Sequence, residues 1–242
     1  MPRDGLTSKH ISAYSVGHFN NDLCAAMWFV YLSWYVKDVV ELDSSLTAMC
    51  LLSGQIADGI MTPIVGVASD KCNTRWGKRM PWYVFGVFFV IPTFAGIFAY
   101  PEFINVKEEV NGKLEIKHPT LQAVWYITLP ALFNIGWASV QIAHMSIVNA
   151  LSQSNRMRDR LSNNRNGFTF AANITVLSFA LLMFLFIKDK ITQFRLLCFI
   201  CLALGFMTSA FFMCTINEPE LKEKSDTYEL AYKKATLSDQ EF

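Results

Sequence analysis

The chain has 242 residues, of which 52% are apolar and 17% charged, with 20 Phe and 6 Trp. Soluble domains carry about 25% charged residues, so this composition points to a membrane protein. The formal net charge of +1 leaves no basic excess of the kind that binds nucleic acid and no acidic surface for a basic partner.

The polar start, with Arg3 and Lys9, leads into a first apolar segment over 11–36 that carries one acid, Asp22. Asn20, Asn21 and Asp22 interrupt it and no small-residue cleavage site follows, so it reads as a retained span and not a signal peptide. A second segment over 44–69 carries Asp58. Its Gln55, Asp58 and Thr62 fall three and four apart and make one polar stripe on a helix. Pro63 frees the carbonyl of Gly59 from its usual bond. A short basic loop follows, with Lys71, Arg75, Lys78 and Arg79 against Asp70, and Pro81 opens the third span, 81–100.

Residues 101–119 read as a polar loop of mixed charge. The fourth span, 121–150, has no charge, and its Asn134, Trp137, Gln141 and His144 repeat the helical spacing. Four arginines separate it from the fifth span, 167–187, where Asn166, Thr169 and Asn173 form another stripe just after Arg165. The sixth span covers 196–216, and 217–242 reads as a polar, unstructured tail. A helix needs about 20 apolar residues to cross the hydrocarbon, so the expectation is an all-α six-helix transmembrane bundle over 1–216. With the N-terminus in the cytosol, 14 of the 21 Lys and Arg fall on the cytosolic side, which predicts both termini there.

A charge at membrane depth is costly and is kept where it acts. Asp22 and Asp58 are therefore the candidate cation- or proton-coupling groups. Each must be paired, bind a cation or be protonated, because desolvation disfavours a lone carboxylate. The stripes predict a shared polar cavity lined by Asn21, Gln55, Thr62, Trp137, Gln141, His144, Arg165 and Asn173. Asn, Thr and Gln also serve simply as interhelical hydrogen-bond partners, and both readings stay open for the fifth span. Five of the six cysteines lie within spans. Cys198 and Cys201 have redox or metal spacing but no neighbouring acid or His, so they read as small buried apolar groups. Asn173-Ile-Thr175 matches a glycosylation pattern at a depth where it would not be modified. No metal-ligand cluster, nucleophile–base arrangement or phosphate loop appears in a suitable context, so neither an enzyme nor a cofactor is expected.

The combination Gly66-x-x-x-Asp70 followed by Arg75-x-Gly77-Lys78-Arg79 resembles the loop between helices two and three of major facilitator transporters. There Gly66 would permit close helix approach, and Asp70, Arg75, Gly77, Lys78 and Arg79 would form a gating latch. Gly17-His-Phe-Asn-Asn-Asp22-Leu-Cys-Ala-Ala-Met-Trp28 is similar to the first helix of the glycoside-pentoside-hexuronide:cation symporter branch. That resemblance places a cation-site acid at Asp22 and a second at Asp58. A third acid falls on Thr62, which leaves the sodium-type site incomplete, and the sugar-binding acid of helix four falls on Gln141.

Gly17-His18-Phe19, Asn21 to Ala25, Gly136 to Ser139 with Gln141 and His144, and Ala172 to Thr175 resemble animal members of this branch that import cysteine into lysosomes and melanosomes. The resemblance implies a small-molecule solute, a proton or sodium ion as co-substrate, and a lysosome-like or plasma membrane. It also implies a fold of twelve helices in two parallel halves with substrate held between them. This chain reads as the N-terminal half plus the start of the central loop. A shortened product acting with a full-length transporter and a homodimer of halves both remain open.

Overall fold

The computed structural model describes residues 5–110 and 112–238. Among them are eight α-helices and one two-stranded sheet: α1 Ser8–Val16, α2 Phe19–Asp38, α3 Ser44–Lys71, α4 Met80–Phe98, β1 Lys107–Val110, β2 Lys113–Ile116, α5 Pro119–Leu151, α6 Asn155–Phe186, α7 Lys190–Thr215 and α8 Glu218–Ser238. Arg3 and residues 239–242 lie outside the described residues.

Local chemistry sets several of the helix starts. The Asp43 carboxylate accepts from the amides of Ser45 and Leu46 at 2.8 and 2.9 Å and caps α3. Asp189 accepts from the Thr192 amide and hydroxyl and caps α7, and those bonds hold its carboxyl below the usual range. Prolines open α4 and α5, where no amide partner is needed. Three of the described helices contain an internal proline, and near two of them a side chain adds a bond to a carbonyl of its own helix. Asn134 Nδ2 donates to the Pro130 carbonyl at 2.8 Å, and Thr93 Oγ1 to that of Phe89 at 2.7 Å.

Five helices, α3 to α7, are long and apolar enough to cross a membrane. The expected first span differs: it is broken at Gly17–His18 into α1 and α2. Two polar residues and an acid follow the break, and Lys37 and Asp38 end α2, so its composition falls short although its 20 residues extend about 30 Å. The loop over 101–119 is also not plain coil, since β1 and β2 pair antiparallel there. Gly112, at φ +79°, takes the left-handed turn position between them.

The helices form two interlocked triplets. Helix α5 runs along α3 and α4, α2 packs against α6 and α7, and α4 meets α7. The first member of each triplet is thus clasped by the second and third members of the other, the arrangement of two nested three-helix repeats. Two apolar clusters fill the bundle. The larger, towards the hairpin end, holds Tyr35, Phe94, Phe98, Phe133 and Phe194. The smaller, towards the Asp70 loop, holds Tyr14, Tyr83, Ile147, Phe212 and Leu221. A polar layer at the α1–α2 break lies between them. The outer rows remain bare: Leu52, Ile56, Ile60 and Ile64 on α3, and Phe170, Ile174, Leu181 and Phe186 on α6, are exposed. Faces of this size demand lipid or another protein surface.

The expected unstructured tail is corrected to a helix. Residues 218–231 carry several Glu, Lys and Leu, which favour helix. Lys224 pairs with Glu220 one turn away, which lowers the Glu220 carboxyl from its ordinary value. Leu221 and Ser225 are buried. The Ser225 hydroxyl accepts from the Gln153 amide at 3.1 Å, tying α8 to the end of α5.

Candidate functional site

The two acids singled out from sequence sit in different surroundings. Asp22, in the first turn of α2, is buried at 7% exposure. One oxygen, Oδ1, lies 3.0 Å from His18 Nδ1. The other, Oδ2, accepts from the Thr169 hydroxyl of α6 at 3.1 Å. Thr169 was legible as a stripe member; His18 was missed, although its place four residues before Asp22 is the helical spacing that could have found it.

That break is held open by its neighbours. A bend leaves carbonyls without helical partners. Tyr83 of α4 donates its hydroxyl to the Gly17 carbonyl at 2.5 Å, and His144 Nε2 of α5 lies 3.0 Å from that of Tyr14. His144 is fully buried, stacks on Tyr14 at 4.5 Å between ring centroids and sits 5.3 Å from the His18 ring. Gly17 is required here, since a Cβ would meet the Phe212 ring at 2.5 Å and His144 Nε2 at 2.8 Å. His144 therefore packs in this interior cluster and not along an open cavity wall with Gln141.

Asp58 is partly exposed on α3, where Thr62 donates to it at 3.3 Å. It shares a cleft of about 20 Å³ with Gln55, Ala25, Trp28, Asn134 and Trp137, room for about one water. Helices α2, α3 and α5 thus bring Asp58, Gln55 and Trp137 together as the stripes predicted. Trp137 Nε1 donates to the Asn21 carbonyl at 3.3 Å, so it also touches α2 beside Asp22. Other expected cavity residues do not join. Asn21 is fully buried and its amide makes no hydrogen bond among the described residues. Asn173 is exposed and turns back to the Thr169 carbonyl at 2.8 Å. Arg165 donates to Asn166 on its own helix at 2.5 Å. No group of three or more His, Cys, Asp or Glu among the described residues is placed to hold a metal.

At the loop end, Asp70 pairs with Arg79, and Lys78 Nζ donates to the Asp70 carbonyl at 3.3 Å. Arg75 lies over the Trp76 ring at 5.6 Å. Gly77 has φ +103° and abuts the Glu218 carboxylate, so both its backbone and its space exclude a side chain. Glu218, at the start of α8, is buried and accepts from the amides of Lys78, Arg79 and Met80 at 3.0, 2.9 and 2.9 Å. It caps α4 from across the chain with the charge that a helix N-terminus favours. Sequence reasoning missed Glu218, because the cap lies some 140 residues from the amides it serves. The expectation that Gly66 marks a close helix approach is corrected: a Cβ there would meet nothing within 4 Å.

Comparison with known proteins agrees with this architecture. The family described as MFS/sugar transport protein matches residues 13–239. Major facilitator superfamily domain-containing protein 12 of Homo sapiens is 36% identical over 182 residues, 71% of this chain and 34% of that protein. An uncharacterized symporter of Synechocystis is 26% identical over 181 residues, covering 75% and 32%. A glucuronide carrier protein homolog of Escherichia coli is 26% identical over 185 residues, covering 76% and 37%. The chain spans about a third of the length of these relatives. Clasped apolar triplets, acids kept inside them and a family match over nearly the whole sequence make this chain a member of the MFS/sugar transport protein family.

Proposed function

We propose that the chain forms the N-terminal half of a membrane solute carrier that works by alternating access, with proton-linked movement of a small solute such as cysteine. Both termini face the cytosol, and the membrane is that of a lysosome-like organelle. The observation that carries this reading is the placement of Asp58 with Gln55 and Trp137 in one cleft, next to the helix that bears the buried Asp22. A carboxylate in such a setting gains or loses a proton as its access to water changes. An acidic lumen supplies that proton. Gln55, Asn134 and Trp137 offer an amide and indole lining suited to a small polar solute. The Asp70–Arg79 pair and the Glu218 cap close the loop end and serve as the gate.

The substrate rests on likeness to major facilitator superfamily domain-containing protein 12 and on the resemblance described above. The bare rows of α3 and α6 take lipid, a second half or a second copy of the chain. The symporter and carrier names of other relatives support a second reading, a cation-coupled sugar or other small-solute symporter.

Reconstitution in vesicles, with labelled cysteine and a panel of sugars, separates the two. Cysteine uptake that rises with an inward proton gradient and loses that rise in Asp58→Asn supports the proton-linked reading. Uptake of cysteine that ignores the gradient refutes the coupling, and a rise unchanged by Asp58→Asn removes Asp58 from it. Native mass measurement of the same preparation reads whether it acts as a homodimer or is recovered only with a full-length transporter.

A further inference from the structure

We infer that a proton coupled to transport is taken up by His18, at Nε2, with the Asp22 carboxylate setting the ring, in addition to the role given to Asp58. This deepens the proton-linked reading above and rests on it. Both oxygens of Asp22 already accept hydrogen bonds, one towards His18 Nδ1 at 3.0 Å and one from Thr169 at 3.1 Å. These two contacts fix the carboxylate against the ring. Towards it, His18 presents Nδ1–H, so a neutral ring keeps its lone pair on Nε2. That nitrogen is buried and has no partner among the described residues, and His18 itself is only 5% exposed.

His144 is fixed in the complementary sense. The Tyr14 carbonyl can only accept, so the His144 nitrogen 3.0 Å away, Nε2, carries the hydrogen. Its Nδ1 then holds a lone pair and is likewise unpartnered. The two rings lie 5.3 Å apart with a 55° tilt. Protonated His18 thus acquires an Nε2–H donor beside a ring whose Nδ1 is also without a partner among the described residues. The proton balance is simple. The pair carries charge −1 before uptake and zero after it, and a neutral pair is less costly to hold between two apolar clusters.

Each packed helix brings groups towards the two rings. Helix α1 brings Tyr14, α2 brings Asp22, α4 brings Tyr83, whose ring lies 6.0 Å from His144, and α5 brings His144. Helix α6 brings Thr169 and the charge of Arg165, which acts on His144 and Tyr14. Helix α7 brings Phe212 and the buried hydroxyl of Ser209, and no charge. Of these groups, the carboxylate is the charge that touches the His18 ring directly, at 3.0 Å. Asp22 is a positioning residue in this scheme, in the way a buried acid fixes a catalytic histidine.

Solid-state ¹⁵N NMR of the full chain, ring-labelled at its 4 histidines and reconstituted in liposomes, reads each tautomer directly. Spectra are taken between about pH 8 and pH 5 and assigned with His18→Gln and His144→Gln. The expected result is a His18 ring that passes from the Nδ1–H form to the doubly protonated form, with His144 held as Nε2–H. Infrared spectra of the same samples are expected to show Asp22 as carboxylate throughout. In Asp22→Asn the Nδ1–H preference of His18 is expected to disappear. A protonated carboxyl band that Asp22→Asn removes, seen while His18 remains neutral, overturns the assignment. So does a His18 ring found as Nε2–H at high pH. The wild-type spectra decide these points even if a variant fails to fold. In uptake assays His18→Gln is expected to flatten the pH profile while solute exchange at equal pH persists. Uptake absent under every gradient, with the ring states as expected, removes the transport reading and leaves the proton assignment standing.

Discussion

Replacing Glu218 with Ala tests whether α8 is part of the folded bundle. The carboxylate is 3% exposed and serves three amides at the start of α4. Lys78 is exposed, so water takes over its amide. The amides of Arg79 and Met80 lie deeper, and each is left short of a partner at about 1–3 kcal/mol. Loss of the negative charge at the helix start adds about 0.3–1 kcal/mol. With partial rehydration at the bundle rim, the expected total is about 2–4 kcal/mol. For a chain of this size that lowers Tm by about 5–15 °C. Glu218→Gln is expected to fall between, since it keeps one acceptor oxygen but turns an amide group on its neighbours. Glu220→Ala is the control: among the described residues this exposed acid pairs with exposed Lys224 and its neighbour Asn217, and such contacts contribute little. The assay is thermal unfolding in detergent at a fixed scan rate, with hydrogen exchange at residues 78–80. Equal Tm values for Glu218→Ala and Glu220→Ala, with unchanged exchange at 78–80, would refute the capping argument.

Glycine substitutions should divide by space. Gly205→Ala drives a Cβ into the Asn20 side chain and is expected to destabilise by about 1–3 kcal/mol. Gly59→Ala, with nothing within 4 Å, is expected to be neutral or to stabilise by up to about 1 kcal/mol, and thermal unfolding separates the two. Tyr83→Phe removes the hydroxyl that holds the Gly17 carbonyl and should cost about 1 kcal/mol, with faster amide exchange around residues 17–22. His10 has a pH signature outside the spans. Burial, and then the Lys224 charge, lower it from its ordinary 6.5. The neutral ring accepts from the Thr7 amide at 3.2 Å, so its support for α1 is complete above pH 6.5 and declines as pH falls below it. Intrinsic-rate-corrected exchange at residues 8–11 should rise on acidification in the wild type and stay flat in His10→Gln.

Much of the fold is written in hydropathy, because a bilayer asks for length and apolarity before anything else. The charge-free runs locate α4, α5 and α7 within a few residues. Helix α6 begins twelve residues before its expected span, since its first turns are polar and hydropathy does not register a helix in water. The first span hides its break for a related reason: Gly17 and His18 keep near-helical backbone angles, and the bend is imposed by Tyr83 and His144 from distant helices. Asn-Gly at 111–112 is a common two-residue turn pair and is the sequence signal that the reading of 101–119 as a plain loop passes over. Within the site, periodicity found Asp58, Gln55 and Trp137 as neighbours. It could not separate Asn21 and His144, which share helical faces with cavity residues but are enclosed by packing.

The stapled bend on α1–α2 makes two otherwise separate parts of the bundle share one degree of freedom. Its two clamps sit on α4 and α5, and α4 is itself anchored at its start by Glu218. A slide of α4 along its own axis would pull on the Gly17 carbonyl, one turn from the acid that begins α2. The loop at the rim and the carboxylate in the first turn of α2 are therefore joined through the first turn of α4, where Met80 and Tyr83 stand about 4.5 Å apart along the axis.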